Sequence, residues 1–234
     1  MSPNTPLLGV SGSRWRLSTP SLVLDLDAME SNLELMATHC RATGQALRPH
    51  AKSHKCTSIA RAQIAAGAVG VCCATIREAE VMVAAGVPVL ITSPPTGEAK
   101  VARLMVLHGT TETLKVATDT LAHVAALSAA TAAAGIDRPL AVVIDFDVGT
   151  HRTGAATATD VVVLAQAIEG APGLKFAGVQ AYYGHLQHIK DYVERTVAVA
   201  AENMRLGETI DALRAAGFAV PLVTGGGTGS YDMD

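Results

Sequence analysis

The chain is poor in aromatic residues (3%) and in charge (17% Asp, Glu, Lys and Arg). A disordered chain needs low hydropathy and high net charge, and this one has positive mean hydropathy and a net charge of -3. It contains no basic run, which argues against nucleic acid as a partner. No unbroken apolar run nears the ~18 residues of a membrane helix, so no membrane partner is expected. The N-terminus has no apolar stretch before a small-residue cleavage site, so no signal peptide is read. Four cysteines, Cys40, Cys56, Cys72 and Cys73, show no CxxC spacing. They read as reduced thiols of a cytoplasmic protein.

What the 234 residues do contain is an alternation. Eight apolar, β-rich runs are separated by alanine-rich stretches: Ser21–Leu26, Ala46–Ala51, Val69–Ala74, Val89–Thr92, Leu114–Thr118, Leu140–Asp145, Lys175–Ala181 and Leu222–Thr224. Each gap has room for a helix and two loops, and parallel strands need such crossovers. Helices are expected to stop at Gly44, Gly67, Gly86, Gly135 and Gly217, where a left-handed residue costs little. Asp27 three residues before Glu30 has capping-box spacing. Eight strands predict an α/β fold of the (β/α)8 barrel type, as one domain over residues 1–234. A doubly wound open sheet predicts the same alternation.

In either architecture, sites gather beyond the carboxyl ends of the strands. Five of the eight histidines, His50, His54, His151, His185 and His188, fall in those segments. Lys52 follows the second run, with Arg48 and Lys55 close by. Desolvation or neighbouring cations would make its amine a nucleophile able to form a Schiff base, and a solvated surface lysine is the alternative. His50, two residues away, joins it as a catalytic candidate. The run Gly225–Ser230 reads either as a backbone nest for an anion, aided by Thr228 and Ser230 hydroxyls, or as a flexible turn. Arg152 reads as a fork for a ligand oxygen or as a partner of Asp145 or Asp147. His185 and His188 stand at i, i+3, facing one metal or substrate, or solvent. Tyr182 suits stacking on a planar ligand.

Six segments in this order resemble the fold-type III pyridoxal 5′-phosphate (PLP) enzymes of the D-threonine aldolase, D-serine dehydratase and 3-hydroxy-D-aspartate aldolase group. They are Thr19–Asp27, Arg48–Lys55 (RPHAKSHK), Gly70–Cys73, His151–Gly154, Gln180–Gly184 with Gln187 and His188, and Gly225–Gly229. The resemblance implies an alanine-racemase-like barrel. It also implies that Lys52 carries PLP, that Thr228 and Gly227 bind its phosphate, that Arg152 contacts the ring side, and that Gln180 and Tyr182 line the pocket. The implied reaction is retro-aldol cleavage of a D-β-hydroxy-α-amino acid, such as 3-hydroxy-D-aspartate or D-threonine, to glycine and an aldehyde or glyoxylate. Dehydration on the same scaffold, or PLP binding without turnover, are the alternatives. The family also implies a divalent metal (Mn, Mg or Zn) and a homodimer. Its metal ligands belong to a C-terminal β domain, and this chain reads as one truncated before it, with no metal ligand of its own. Ala74 stands where members often carry glutamine.

Overall fold

The structure, a computed structural model, describes residues 2–233. It forms two compact units, one ending at Leu47 and one beginning at Arg48. The first holds two short 3-10 turns, Thr5–Leu7 and Ser13–Arg16, and helix α1, Leu26–Thr43. Asp25 caps α1 by accepting from the Ala28 N–H (3.0 Å), and Gly44 ends it at φ 74°. Asp27 therefore lies inside the first turn and is not the cap its spacing suggested. The run Ser21–Leu26 is not a ladder strand, and Leu22, Val23 and Leu24 are exposed.

The second unit alternates helices and strands: α2 Thr57–Ala65, β1 Val71–Cys73, α3 Ile76–Ala84, β2 Val89–Ile91, α4 Glu98–Thr110, β3 Lys115–Thr118, α5 Leu121–Ala134, β4 Leu140–Asp145, α6 Ala158–Gly170, β5 Leu174–Ala181, α7 Tyr192–Ala215 and β6 Val223–Gly225. All six strands are parallel and lie in sequence order. Threonines recur at the turn into a helix. Thr75, Thr120 and Thr157 each accept an N–H three residues on, occupying a donor the helix itself leaves unpaired.

Of the eight expected strands, six carry ladders. Ala46–Ala51 supplies only an isolated bridge between His50 and Cys72, closed by the Cys72 N–H to the Pro49 carbonyl (2.8 Å). Proline lacks the N–H that would extend the pairing.

One face of the sheet packs on the helices, with Val71, Val89, Val116, Leu140, Val142 and Ile144 fully buried. Each such side chain contributes about 1.5–3 kcal/mol of burial. The opposite face carries a smaller cluster of Cys72, Leu90, Val143 and Ala177. That face is concave. Gln180 on β5 donates its amide to the carbonyl of Thr92, at the end of β2, at 3.0 Å. In a flat sheet these strands would stand three spacings apart, roughly 14 Å. Curling is also assisted by an irregularity in the β4–β5 register at Val142/Val143. Opposite it, Gly178 (φ 132°) lies so close to Leu222 that a side chain would collide with the Leu222 carbonyl.

Candidate active site

The carboxyl ends of the strands converge on a hydrogen-bonded chain. His50 caps the 3-10 turn Ala51–Ser53: its Nδ1 accepts from the Lys52 N–H (3.2 Å) and its carbonyl from the Ser53 hydroxyl (3.1 Å). With Nδ1 accepting, the neutral ring carries its proton on Nε2, which faces Thr92 Oγ1 at 3.3 Å. Thr92 Oγ1 donates onward to the Cys73 carbonyl (3.2 Å). Burial and then the Lys52 charge push the His50 pKa down to about 4. With both ring nitrogens engaged, His50 ties the turn that carries Lys52 to the end of β2.

The chain continues through Gln180, which is buried. Its amide donates to Thr92 O and to Asp145 Oδ1 (2.8 Å), and Asp145 Oδ2 accepts from the Thr153 hydroxyl (2.7 Å). Both amide donors point at acceptors, which identifies the opposite atom as Oε1. That oxygen is buried and has no donor among the described residues. Burial raises the Asp145 pKa, against the lowering effect of its two donors. Asp145 therefore serves Gln180 and Thr153 and forms no ion pair with Arg152 among the described residues.

Lys52 is exposed, so the desolvated surroundings expected for it are not found. Its Nζ lies 5.8 Å from the centroid of the Tyr182 ring, within cation–π range. It has no carboxylate partner among the described residues. Lys55, at φ 50°, turns away to Glu78 (3.5 Å), whose other oxygen accepts the Ala74 N–H (2.8 Å). Tyr182 is half-buried, and Gly184 leaves room for its ring, since a Cβ there would stand 2.6 Å from a ring carbon.

Arg152 is exposed on a loop tied down by Asp147. That carboxylate accepts from the Gly149 N–H (3.0 Å), the His151 N–H (3.0 Å) and the His151 ring (2.9 Å). The glycine run after β6 is braced by Gln187, which accepts from the Gly229 N–H (2.6 Å) and donates to Ser230 Oγ (3.0 Å). A Cβ at Gly227 would meet the Gln187 amide at 2.7 Å. The N–H groups of Gly227 and Thr228 have no acceptor among the described residues, and Thr228 is exposed.

His185 and His188 lie at either end of one short turn and are both exposed. His185 packs on Gly149. Among the described residues no three His, Cys, Asp or Glu side chains gather as a metal site. Among the described residues no helix is long and apolar enough to cross a membrane. Thr92 as the hub of this chain, and Glu78 as the brace after β1, were not singled out from sequence. Their signal was position, just past a strand end or in the helix turn that follows.

The profile described as "Alanine racemase, N-terminal domain" matches residues 24–231. A 3-hydroxy-D-aspartate aldolase of Paracoccus denitrificans (strain Pd 1222) is 39% identical over 217 residues, which is 92% of this chain and 56% of the relative. A D-threonine aldolase of Arthrobacter sp is 39% identical over 220 residues, 94% of this chain and 57% of the relative. The crystal structure of D-threonine aldolase from Filomicrobium marinum superimposes with a TM-score of 0.90 at 42% identity, over 93% of this chain and 58% of that one. The chain thus spans little more than half the length of these relatives. The parallel, curled sheet with its helices is the alanine-racemase-like fold, and the chain belongs to the alanine racemase N-terminal domain family.

Proposed function

We propose that this chain carries the PLP-binding part of a carbon–carbon lyase acting on D-β-hydroxy-α-amino acids. The substrate class is that of 3-hydroxy-D-aspartate or D-threonine, and the products are glycine with glyoxylate or an aldehyde. The names of the relatives support the reaction class. The observation that carries the reading in this chain is the Lys52 amine held over the Tyr182 ring with no carboxylate to neutralise it.

The residues present fit the cofactor. A free primary amine, a buried acceptor without a donor (Gln180 Oε1), and a glycine loop with unused N–H groups beside a free hydroxyl are the groups such a molecule requires. In this reading Lys52 would supply the amine that holds the cofactor. Gly227 and Thr228 would hold its phosphate, and Arg152 and Tyr182 would contact the remainder of the molecule. Gln180 fixes the wall behind it, and His50 orients the Lys52 turn. Bound PLP supplies an electron sink for the pair left on Cα when the Cα–Cβ bond breaks. No ligand set for a divalent metal gathers among the described residues, and no step is assigned to one. Four free cysteines support a reducing, cytoplasmic setting.

The test is spectroscopic. PLP added to the purified chain is expected to give a visible absorbance band that Lys52→Ala abolishes while the variant stays folded by circular dichroism. No band in the wild-type chain, or a band that survives Lys52→Ala, refutes the site. Release of glyoxylate from 3-hydroxy-D-aspartate by the PLP-loaded chain then tests the reaction class, and release of a keto acid with ammonia would assign dehydration instead.

A further inference from the structure

At the other end of the sheet two cations face the concave interior without an anion. Arg48 lies two residues before His50, toward the amino-terminal ends of the strands, where Gly70 and Pro88 precede β1 and β2. Its Nη1 is sealed from solvent and has no acceptor among the described residues. Gly70 is what lets it in: a Cβ at that position would collide with the guanidinium and with the Pro88 carbonyl. Lys115, the first residue of β3, is half-buried and pairs in register with Leu90, whose own register partner on β1 is Cys72. Arg48 itself sits against Cys72, whose thiol faces the Arg48 carbonyl at 3.6 Å. Neither cation forms an ion pair among the described residues, although the chain pairs seven other basic side chains with carboxylates.

We propose that Arg48 and Lys115 are the two arms of a binding site for a small oxyanion, at the end of the sheet opposite Lys52. Two like charges share a partly desolvated interior there, an arrangement that favours loss of charge unless an anion joins them. Burial and the Arg48 charge lower the Lys115 pKa, and burial lowers that of Arg48, in keeping with this cost. A guanidinium offers parallel N–H donors suited to two oxygens of one group, and the ammonium adds a point charge. The ligand chemistry is that of a carboxylate or of a tetrahedral phosphate or sulfate. The site stands independently of the lyase reading, because none of its residues belongs to the chain of groups around Lys52.

The experiment is thermal unfolding and calorimetric titration of the chain with sodium sulfate and with sodium acetate, each against sodium chloride at equal ionic strength. Sulfate or acetate is expected to raise Tm beyond chloride, and the more effective one identifies the oxyanion class. Lys115→Met is expected to start at a higher Tm in anion-free buffer, since it removes one of two like charges. It should bind the effective anion at least tenfold more weakly and keep the visible PLP band. Lys115→Gln, which keeps polarity, is expected to match it. Equal gains from the anion in wild type and both variants, or no gain beyond chloride in the wild type, overturns the proposal. So does a lower starting Tm for both variants.

Discussion

Replacing Gln180 by leucine removes the side chain that ties β5 to β2 across the curl. Two donors are lost. The one to Asp145 Oδ1 (2.8 Å) is charge-assisted, worth about 1.5–3 kcal/mol, and the one to the Thr92 carbonyl (3.0 Å) is worth about 1 kcal/mol. Leucine is similar in size, so the cavity contribution is small, and the expected loss is about 3 kcal/mol near neutral pH. The loss depends on pH in a defined direction. The Asp145 pKa is raised in the folded state, so its contribution to stability is fullest below the unfolded value of ~3.9 and falls as pH rises through the folded value. Gln180 is one of the donors that limit this rise. Without it the folded pKa climbs further, so the penalty of Gln180→Leu is small in acid, where Asp145 is protonated, and grows toward neutrality. Urea unfolding of both proteins below about pH 4, where Asp145 is protonated in either state, and at pH 7.5 measures this. A loss below about 0.5 kcal/mol at pH 7.5, or one that shrinks as pH rises, refutes the reasoning that a donor to a buried carboxylate holds the curl.

Other outcomes follow from the same contacts. His50, with its pKa lowered to about 4, is expected to stay neutral at pH 5 in a histidine NMR titration, and its contribution to stability should be lost only as pH falls from ~6.5 through 4; a midpoint near 6.5 excludes the capped ring. Gly178→Ala drives a Cβ into the Leu222 carbonyl at an unfavourable φ, and a loss of about 3 kcal/mol in urea unfolding is expected. Leu104→Ala, at a fully buried position on α4, should cost about 2–5 kcal/mol, whereas Val106→Ala on the exposed face of the same helix should change stability by less than about 0.5 kcal/mol. Asp147→Ala frees the loop that carries Arg152. It is expected to weaken PLP binding, read from the absorbance titration, with little change in Tm.

The order of elements was legible in the chain because strand and helix signals are local. Apolar runs such as Leu140–Asp145 announce strands buried on both faces, and Gly44, Gly86 and Gly135 mark helix ends through a conformation few other residues accept. The motif around Lys52 was legible for the same reason, as a short word in one segment. Tertiary structure decided which runs became ladder strands. Ser21–Leu26 has the composition of a strand and forms no ladder, while Ala46–Ala51 is interrupted by Pro49 and yields one bridge. It also decided the roles of the polar groups. His50 stood in the sequence as a catalytic candidate beside Lys52; its ring caps the Lys52 turn through one nitrogen and meets Thr92, 42 residues away, through the other. Gln180 looked like pocket lining and also proved to be a tie, through partners 35 and 88 residues distant. Sequence dictates what a segment prefers to be. Which atoms meet depends on strand register and on the curl of the sheet, and both arise only when distant segments are packed together.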